Sequence, residues 1–268
     1  MVAPQAGLGH FTVRAHSHAI TVSLRPTNGC RSGRSFTISA LGSITYYVGI
    51  TYVPAFLTSA GAMAEGASLA LPYPETAIVE RDTLEEQSAA LASVLPERPL
   101  ALGGCCCTHV GAVRGLATRF DRLAVVWLDA HGDLNTPETS PSGNLWGMPL
   151  RMLLDDGMIA PENVALVGAR NLDPGEVDYL AETGIDDSLE RALAGVDATY
   201  IALDLDVLDP GEAAVFMPEP EGPTAAEIEE VLRDAAARAT IAGVGVTGLL
   251  LDARNVAVVS RLLTAAGL

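Results

Sequence analysis

Lysine is missing from this chain of 268 residues: all sixteen basic residues are arginine, set against thirty-three Asp and Glu, for a formal charge of −17. Beside so much alanine, the missing lysine reads as a compositional habit and not as a functional device. The shortage of positive charge has a physical consequence, because binding phosphate requires a basic face. Nucleic acid and anionic membranes are therefore not expected as partners. Cysteine is scarce as well, and of the four present three are contiguous, Cys105 to Cys107. Such spacing cannot make an ordinary disulfide framework, which favours a reducing compartment and a cytoplasmic protein. Acid is absent from the first sixty-four residues, which hold four Arg, three of the five His and many Ser and Thr; every Asp and Glu lies from Glu65 onward. An Arg- and Ser-rich, acid-poor opening is also the composition of an organelle transit segment, but no amphipathic helix is evident in it. The uncharged stretch 35–64 is long enough to cross a bilayer, yet Gly42, Gly49, Pro54 and Gly61 interrupt it. A buried strand around 44–53 followed by a loop is the expectation there. Internal repeats and low-complexity tracts are absent too.

With 49% hydrophobic residues the chain can bury one large core. The composition shift divides it into 1–64, a divergent acid-free segment that can belong to the same domain, and 65–268, an α/β domain. From Leu84 onward, helical and extended patterns alternate. Residues 84–95 read as a helix, Leu100–Leu102 as a strand ending in Gly103-Gly104, and 110–119 as a helix. After the strand Leu123–Leu128 comes a polar loop over 134–147 with Pro137, Pro141 and Gly143, then a helix over 148–155. Val164–Val167 reads as a strand and 175–183 as a helix. The capping box Thr224-Ala-Ala-Glu227 opens a helix that ends near Ala239. Ile241–Thr247 reads as a strand, and a helix over 255–266 closes the chain.

Two short apolar runs, Leu123-Ala-Val-Val-Trp-Leu128 and Ala198-Thr-Tyr-Ile-Ala-Leu203, suit strands buried on both faces of a parallel sheet. Each ends in acid: Asp129-Ala-His131-Gly-Asp133 after the first, Asp204-Leu-Asp206 after the second. In an extended chain residues two apart share a face, so each set converges if extension persists. Ligands of open α/β sheets gather beyond the carboxyl ends of strands, where both sets sit. Four carboxylates brought together repel unless cations compensate them. Oxygen donors with one imidazole favour Mg or Mn, and a metal pair lowers the pKa of shared water enough to generate hydroxide near neutrality.

These residues carry a resemblance. Asp129-Ala-His131-Gly-Asp133-Leu-Asn135, with Ser142-Gly-Asn144 and Asp204-Leu-Asp206-Val-Leu-Asp209-Pro210, resembles the ureohydrolase family of arginases, agmatinases and formiminoglutamases. Leu102-Gly103-Gly104 and the run from Gly168-Ala-Arg170 to Asp173-Pro-Gly-Glu176 fit the same family in the same order, so the resemblance covers about 84–247. It implies a three-layer α/β/α fold with a mainly parallel sheet and hydrolysis of a guanidino or formimino C–N bond in a small amidine. It also implies two Mn ions and a metal-bound hydroxide as nucleophile. Asp129, His131, Asp133, Asp204 and Asp206 take the positions of metal ligands, with Asp133 and His131 serving the chemistry of the bound hydroxide. Asn135, Ser142, Asn144 and Asp173 fall where a substrate's amino-acid head is bound. A homo-oligomer, trimer or hexamer, is the family's usual assembly.

Three positions depart from the family pattern. Where it reads Gly-Gly-Asp-His-Ser, this chain reads Gly103-Gly104-Cys105-Cys106-Cys107, so the sixth metal ligand falls on Cys106. His109, three residues on, is a second candidate for that role, although it also suits the opening of a helix. Trp146 stands where the pattern places a proton-shuttling histidine, and Gly248 where Val-Thr-Glu would put a substrate-contacting glutamate. Beside the hydrolase, two other readings stay open: a non-catalytic metal-binding or assembly subunit, and an altered copy that has lost activity.

Overall fold

The computed structural model describes residues 64–73 and 75–268 in full and the backbone of three strands before them. The chain divides into two compact units, Met1–Thr37 and Ile38–Leu268. Within the first, β1 (His10–Ala15) and β2 (His18–Ser23) form an antiparallel pair, with His10 opposite Ser23 and Ala15 opposite His18. Of the strand anticipated over 44–53, the described part is β3 (Thr45–Tyr46); the rest lies outside the described residues.

The second unit is built on a sheet of six strands in the order β3-β4-β8-β7-β5-β6, every pair parallel. The strands are β4 (Leu100–Leu102), β5 (Leu123–Leu128), β6 (Val164–Val167), β7 (Ala198–Asp204) and β8 (Ile241–Thr247). Every residue of β4, β5, β7 and β8 is buried, which explains why these strands read as unbroken apolar runs and not as alternating ones. Alternation survives in which core each side chain enters. Val125, Trp127, Tyr200 and Ala202 face one core, while Ala124, Val126, Ile201 and Leu203 face the other.

Helices cover both faces. The first core is closed by α1 (Leu84–Val94), α2 (Cys107–Ala117), α3 (Pro149–Asp155) and α4 (Pro174–Thr183), through Leu91, Val110, Val113, Leu116, Leu150, Leu153 and Leu180. The second is closed by α5 (Leu189–Ala192), α6 (Ala225–Arg238) and α7 (Arg254–Ala265). In α6 the buried residues Ala225, Ile228, Leu232 and Ala235 recur every three to four positions, the spacing of one helical face. Its start is set by the expected capping box: Thr224 Oγ1 accepts from Glu227 N at 3.3 Å, and the Glu227 carboxylate accepts from Thr224 N at 2.8 Å. The three-layer α/β/α architecture implied by the resemblance is thus observed. Two elements had no periodic signal, α5 and the β1–β2 pair, and α2 begins at Cys107, three residues before its anticipated start. Among the described residues no helix is long and apolar enough to cross a membrane.

Candidate metal centre

Strands β5 and β7 are neighbours, with Leu128 paired to Leu203, so the next residue of each, Asp129 and Asp204, lies at an adjacent strand tip. The loop after β4 delivers Cys106, and β8 delivers Thr247, registered opposite Asp204. Convergence is reached differently from the extended chain anticipated. Asp204 Oδ1 accepts from Asp206 N at 3.0 Å and opens a 3-10 turn, Leu205–Val207. Asp129 Oδ1 accepts from His131 N at 2.7 Å, and Asp133 adopts a left-handed backbone with φ 53°. Backbone turns capped by the carboxylates themselves bring the donors together, because once the ladder ends these N–H groups need other acceptors.

Two donor groups result, and Asp129 belongs to both: Asp129, His131 and Asp206 in one, and Cys106, Asp129 and Asp204 in the other. His131 Nδ1 lies 3.2 Å from Asp129 Oδ1 and 3.2 Å from Asp206 Oδ2. The Cys106 thiol donates to Asp204 Oδ2 at 3.0 Å and reaches Asp129 Oδ2 at 3.5 Å. Asp133 is buried in the same cleft, and its Oδ2 has no hydrogen-bond partner. His131 Nε2 likewise lacks one, with Glu219 Oε1 at 3.6 Å. An orphaned, buried carboxylate oxygen in a strained backbone costs about 1–3 kcal/mol on each count, and a cation offsets that cost. His131 is the one basic side chain lining the cleft among the described residues. Two carboxylates and an imidazole fit a hard or borderline divalent ion such as manganese; the group holding a thiol suits a softer one.

The charge state follows from burial and crowding. Burial first, then the Asp206 charge, push Asp204 up to about 7. Burial and then the Asp129 charge push Asp206 up to about 6. Asp129 is raised and Asp133 raised strongly, both chiefly by burial. Burial opposes a charged His131, but its hydrogen bonds to Asp129 and Asp206 and their charges outweigh it and push the imidazole up to about 12. Raised carboxylates mean that the folded, metal-free chain binds more protons than the unfolded one, so their contribution is lost as pH rises from the ordinary carboxylate range through about 6 and 7. The raised His131 adds stability that is full below its ordinary value and declines above it, so the slope has the same sign. His109, held down to about 3 by burial, acts in the opposite direction up to its ordinary value but is outnumbered by the four raised carboxylates and His131, while the lowered carboxylates Asp186 and Asp252 act only below that window. Metal-free protein is therefore expected to melt at a lower temperature at pH 8 than at pH 5, and manganese-loaded protein to reverse the trend, since metal binds the deprotonated donors. Thermal melts followed by near-UV circular dichroism, with chelator or with manganese, check this. A metal-free melting point that rises over the interval refutes it.

His109 does not stand in for the missing imidazole. It is fully buried in α2, burial pushes its pKa down to about 3, and both ring nitrogens are engaged. Nδ1 pairs with the Tyr200 hydroxyl at 3.0 Å and Nε2 with Thr247 Oγ1 at 3.2 Å, while Thr247 donates to Asp204 Oδ2 at 3.1 Å. A Cβ at Gly245 would overlap the Tyr200 hydroxyl and the His109 ring, so glycine makes room for this pair. His109 thus orients Asp204 through Thr247.

Further contributors escaped the sequence reading. Glu219 accepts from Asn171 Nδ2 at 2.9 Å beside His131. Trp127 donates its indole N–H to Asp129 Oδ2 at 3.2 Å. Arg170 lies in the Gly168-Ala-Arg170 segment. Its guanidinium donates to the carbonyls of Gly168, Asp206, Val207, Glu219 and Pro220, tying three loops around the cleft. None has a periodic signature: Glu219 and most of the Arg170 bonds reach residues 36–50 positions away, while Trp127 acts on Asp129 two residues on.

The four anticipated substrate residues, Asn135, Ser142, Asn144 and Asp173, all line the same cleft of about 240 Å³. Asn135 donates to Asp173 at 2.8 Å and accepts from Thr139 at 2.9 Å, and Ser142 accepts from Asn144 N at 3.2 Å. Asn144 Oδ1 is buried and without a partner. Trp146, on the 3-10 turn Leu145–Gly147, walls the cleft together with Phe216. Gly248 has φ 69°, and a Cβ there would collide with the Asp204 carboxylate, so no larger residue fits without moving a donor.

Comparison with known proteins agrees with this geometry. The model of the arginase family matches residues 14–249, reaching back into the acid-poor opening. The arginase of Bacillus subtilis (strain 168) is 39% identical over 160 residues, 48% of this chain and 54% of that protein. The arginase of Staphylococcus aureus (strain COL) is 36% identical over 168 residues, 52% of this chain and 55% of that protein. The chain thus spans about half the length of the curated relatives it matches. Among solved structures, the native arginase of Bacillus caldovelox superposes with a TM-score of 0.63 at 30% identity over 72% of this chain and 83% of that one. The formimidoylglutamase of Bacillus subtilis shares the fold, with a TM-score of 0.64 at 17% identity over 91% of this chain and 95% of that one. With a family match over most of its length and the family's acidic motifs gathered at two adjacent strand tips, the chain belongs to the arginase family.

Proposed function

We propose that this chain is a metal-dependent hydrolase of a guanidino or formimino C–N bond in a small linear amidine. The observation that carries this is the sharing of Asp129 between two buried donor groups at the floor of one cleft. Asp129, His131, Asp133, Asp204 and Asp206 hold the cations, manganese in at least one position. When bound, divalent cations supply a nucleophile from water at neutral pH and polarise the amidine carbon.

The protein's own residues do the rest. Asp133 and His131, which line the same cleft as Asp129, orient the reacting water. The unpartnered Asn144 Oδ1 and the Asp173 carboxylate accept from the ammonium of an amino-acid head. Trp146 and Phe216 exclude bulk water. No imidazole or carboxylic acid stands at position 146, and indole has no useful acid–base chemistry, so this position offers the leaving amine no proton. That feature, with Gly248, favours a slow enzyme and keeps a second reading, a non-catalytic assembly subunit. The family's homo-oligomeric habit and a cytoplasmic setting complete the proposal.

Urea or ammonia release from arginine, agmatine, guanidinobutyrate and formiminoglutamate, measured with metal content verified, tests it. At least one substrate is expected to give release that chelator abolishes and manganese restores. Silence on all four with metal fully loaded overturns the hydrolase reading in favour of the assembly subunit.

A further inference from the structure

The two donor groups that share Asp129 are chemically unlike. One offers two carboxylates and an imidazole; the other sets the sulfur of Cys106 between Asp129 and Asp204, 3.5 and 3.0 Å from their Oδ2 atoms. Donors on a common four-coordinate ion, with metal–sulfur near 2.3 Å and metal–oxygen near 2.1 Å, lie about 3.5 Å apart, so these three atoms are spaced to share one. An independent observation points the same way. Asp133 is buried with an unpartnered carboxylate oxygen, and that carboxylate also lies against the Cys106 thiol. Its left-handed backbone is pinned by Arg151 N, which donates to Asp133 O at 3.0 Å.

Resting on the metallohydrolase reading above, we propose that the Cys106 position selects a borderline-soft divalent cation of the zinc class. The loaded protein then carries two different metals: zinc-class among Cys106, Asp129, Asp133 and Asp204, and manganese-class among Asp129, His131 and Asp206. A polarizable thiolate discriminates strongly between them, because manganese is the weakest binder of the divalent series at such donors and zinc one of the stronger. On ligation the S–H proton passes to solvent as the metal–sulfur bond forms. The hydrogen bond from Thr247 to Asp204, oriented through His109, leaves the other Asp204 oxygen turned to the Asp206 turn.

Cobalt(II) titration of the full chain is the direct test. Wild-type protein is expected to develop a near-ultraviolet sulfur-to-cobalt charge-transfer band that Cys106→Ser lacks. Loaded with one equivalent of zinc and then with excess manganese, wild type is expected to retain one equivalent of each by elemental mass spectrometry. Cys106→Ser is expected to bind zinc at least about tenfold more weakly, the lower edge of what losing even an outer partner of a ligand costs, while keeping its manganese. Cys106→His is expected to take manganese in both positions. Cobalt bound without the band, or two manganese ions retained by wild type against zinc, overturns the selectivity and leaves the hydrolase reading standing. Failure of wild type to bind any of the three metals overturns both. Should Cys106→Ser fail to fold, the wild-type cobalt spectrum alone decides.

Discussion

Protein carrying Asp129→Asn is expected to bind divalent metal at least about a hundredfold more weakly than wild type and to lose metal-dependent hydrolysis. Asp129 is common to both donor groups, so no cation escapes the change. Its Oδ1 accepts from His131 N at 2.7 Å and its Oδ2 accepts from the Trp127 indole at 3.2 Å. An asparagine keeps one acceptor but turns an N–H2 toward one of these donors, which displaces the side chain as well as neutralising it. Burial already raises the Asp129 pKa, so removing the charge relieves the metal-free fold. That relief offsets the displaced hydrogen bonds and the lost His131 pairing, so the variant's melting point in chelator is expected to stay close to that of wild type, while its shift with added manganese disappears. Isothermal titration and paired melts separate lost ligation from misfolding, since misfolding lowers both melting points. By contrast, Asp206→Asn is expected to weaken one position alone. Full metal content in Asp129→Asn would mean that the donors are assembled in some other way.

Trp146→His is expected to raise turnover by about a hundredfold, the lower end of what a placed general acid–base contributes. Position 146 lines the same cleft as Asn144 and the donors, and imidazole is smaller than indole, so it enters without displacing a neighbour. Trp146→Phe, which keeps an aromatic wall but no proton to give, is expected to show no gain. Initial rates with metal content matched among the three proteins measure this. Equal rates for the histidine and phenylalanine variants would show that proton delivery is not what limits the reaction. A parallel Gly248→Glu is not the corresponding repair, because a side chain at φ 69° meets the Asp204 carboxylate. It is a substitution whose gain in substrate contact is offset by displacement of a metal donor.

Several parts of this protein are decided within a few neighbouring residues. The apolar runs ending in Asp129 and Asp204 specify doubly buried parallel strands, because only a strand covered on both faces tolerates six or seven consecutive buried residues. Thr224 and Glu227 set the start of α6 through bonds spanning three residues. The acidic motifs name the chemistry, since so many carboxylates with one imidazole need a cation wherever they meet. Short elements were not legible in this way: α5 has four residues, too few to show a period.

Local sequence does not determine which strands lie side by side or how a chain turns after it leaves the sheet. The placement of β7 next to β5 brings together two aspartates seventy-five positions apart in the chain, and it follows from the crossover order of the whole sheet. The turns at Asp133 and Asp206, the role of His109 behind Thr247, the Arg170 clamp and the closeness of Cys106 to two carboxylates all depend on distant segments packing together. Residue types and spacing determined that a cation site of arginase type is encoded here. Tertiary packing decided that the Cys106 thiol, which the sequence offers at the sixth donor position, comes within hydrogen-bond reach of Asp129 and Asp204, because a thiol among carboxylates is a property of three loops meeting and not of any single stretch of chain.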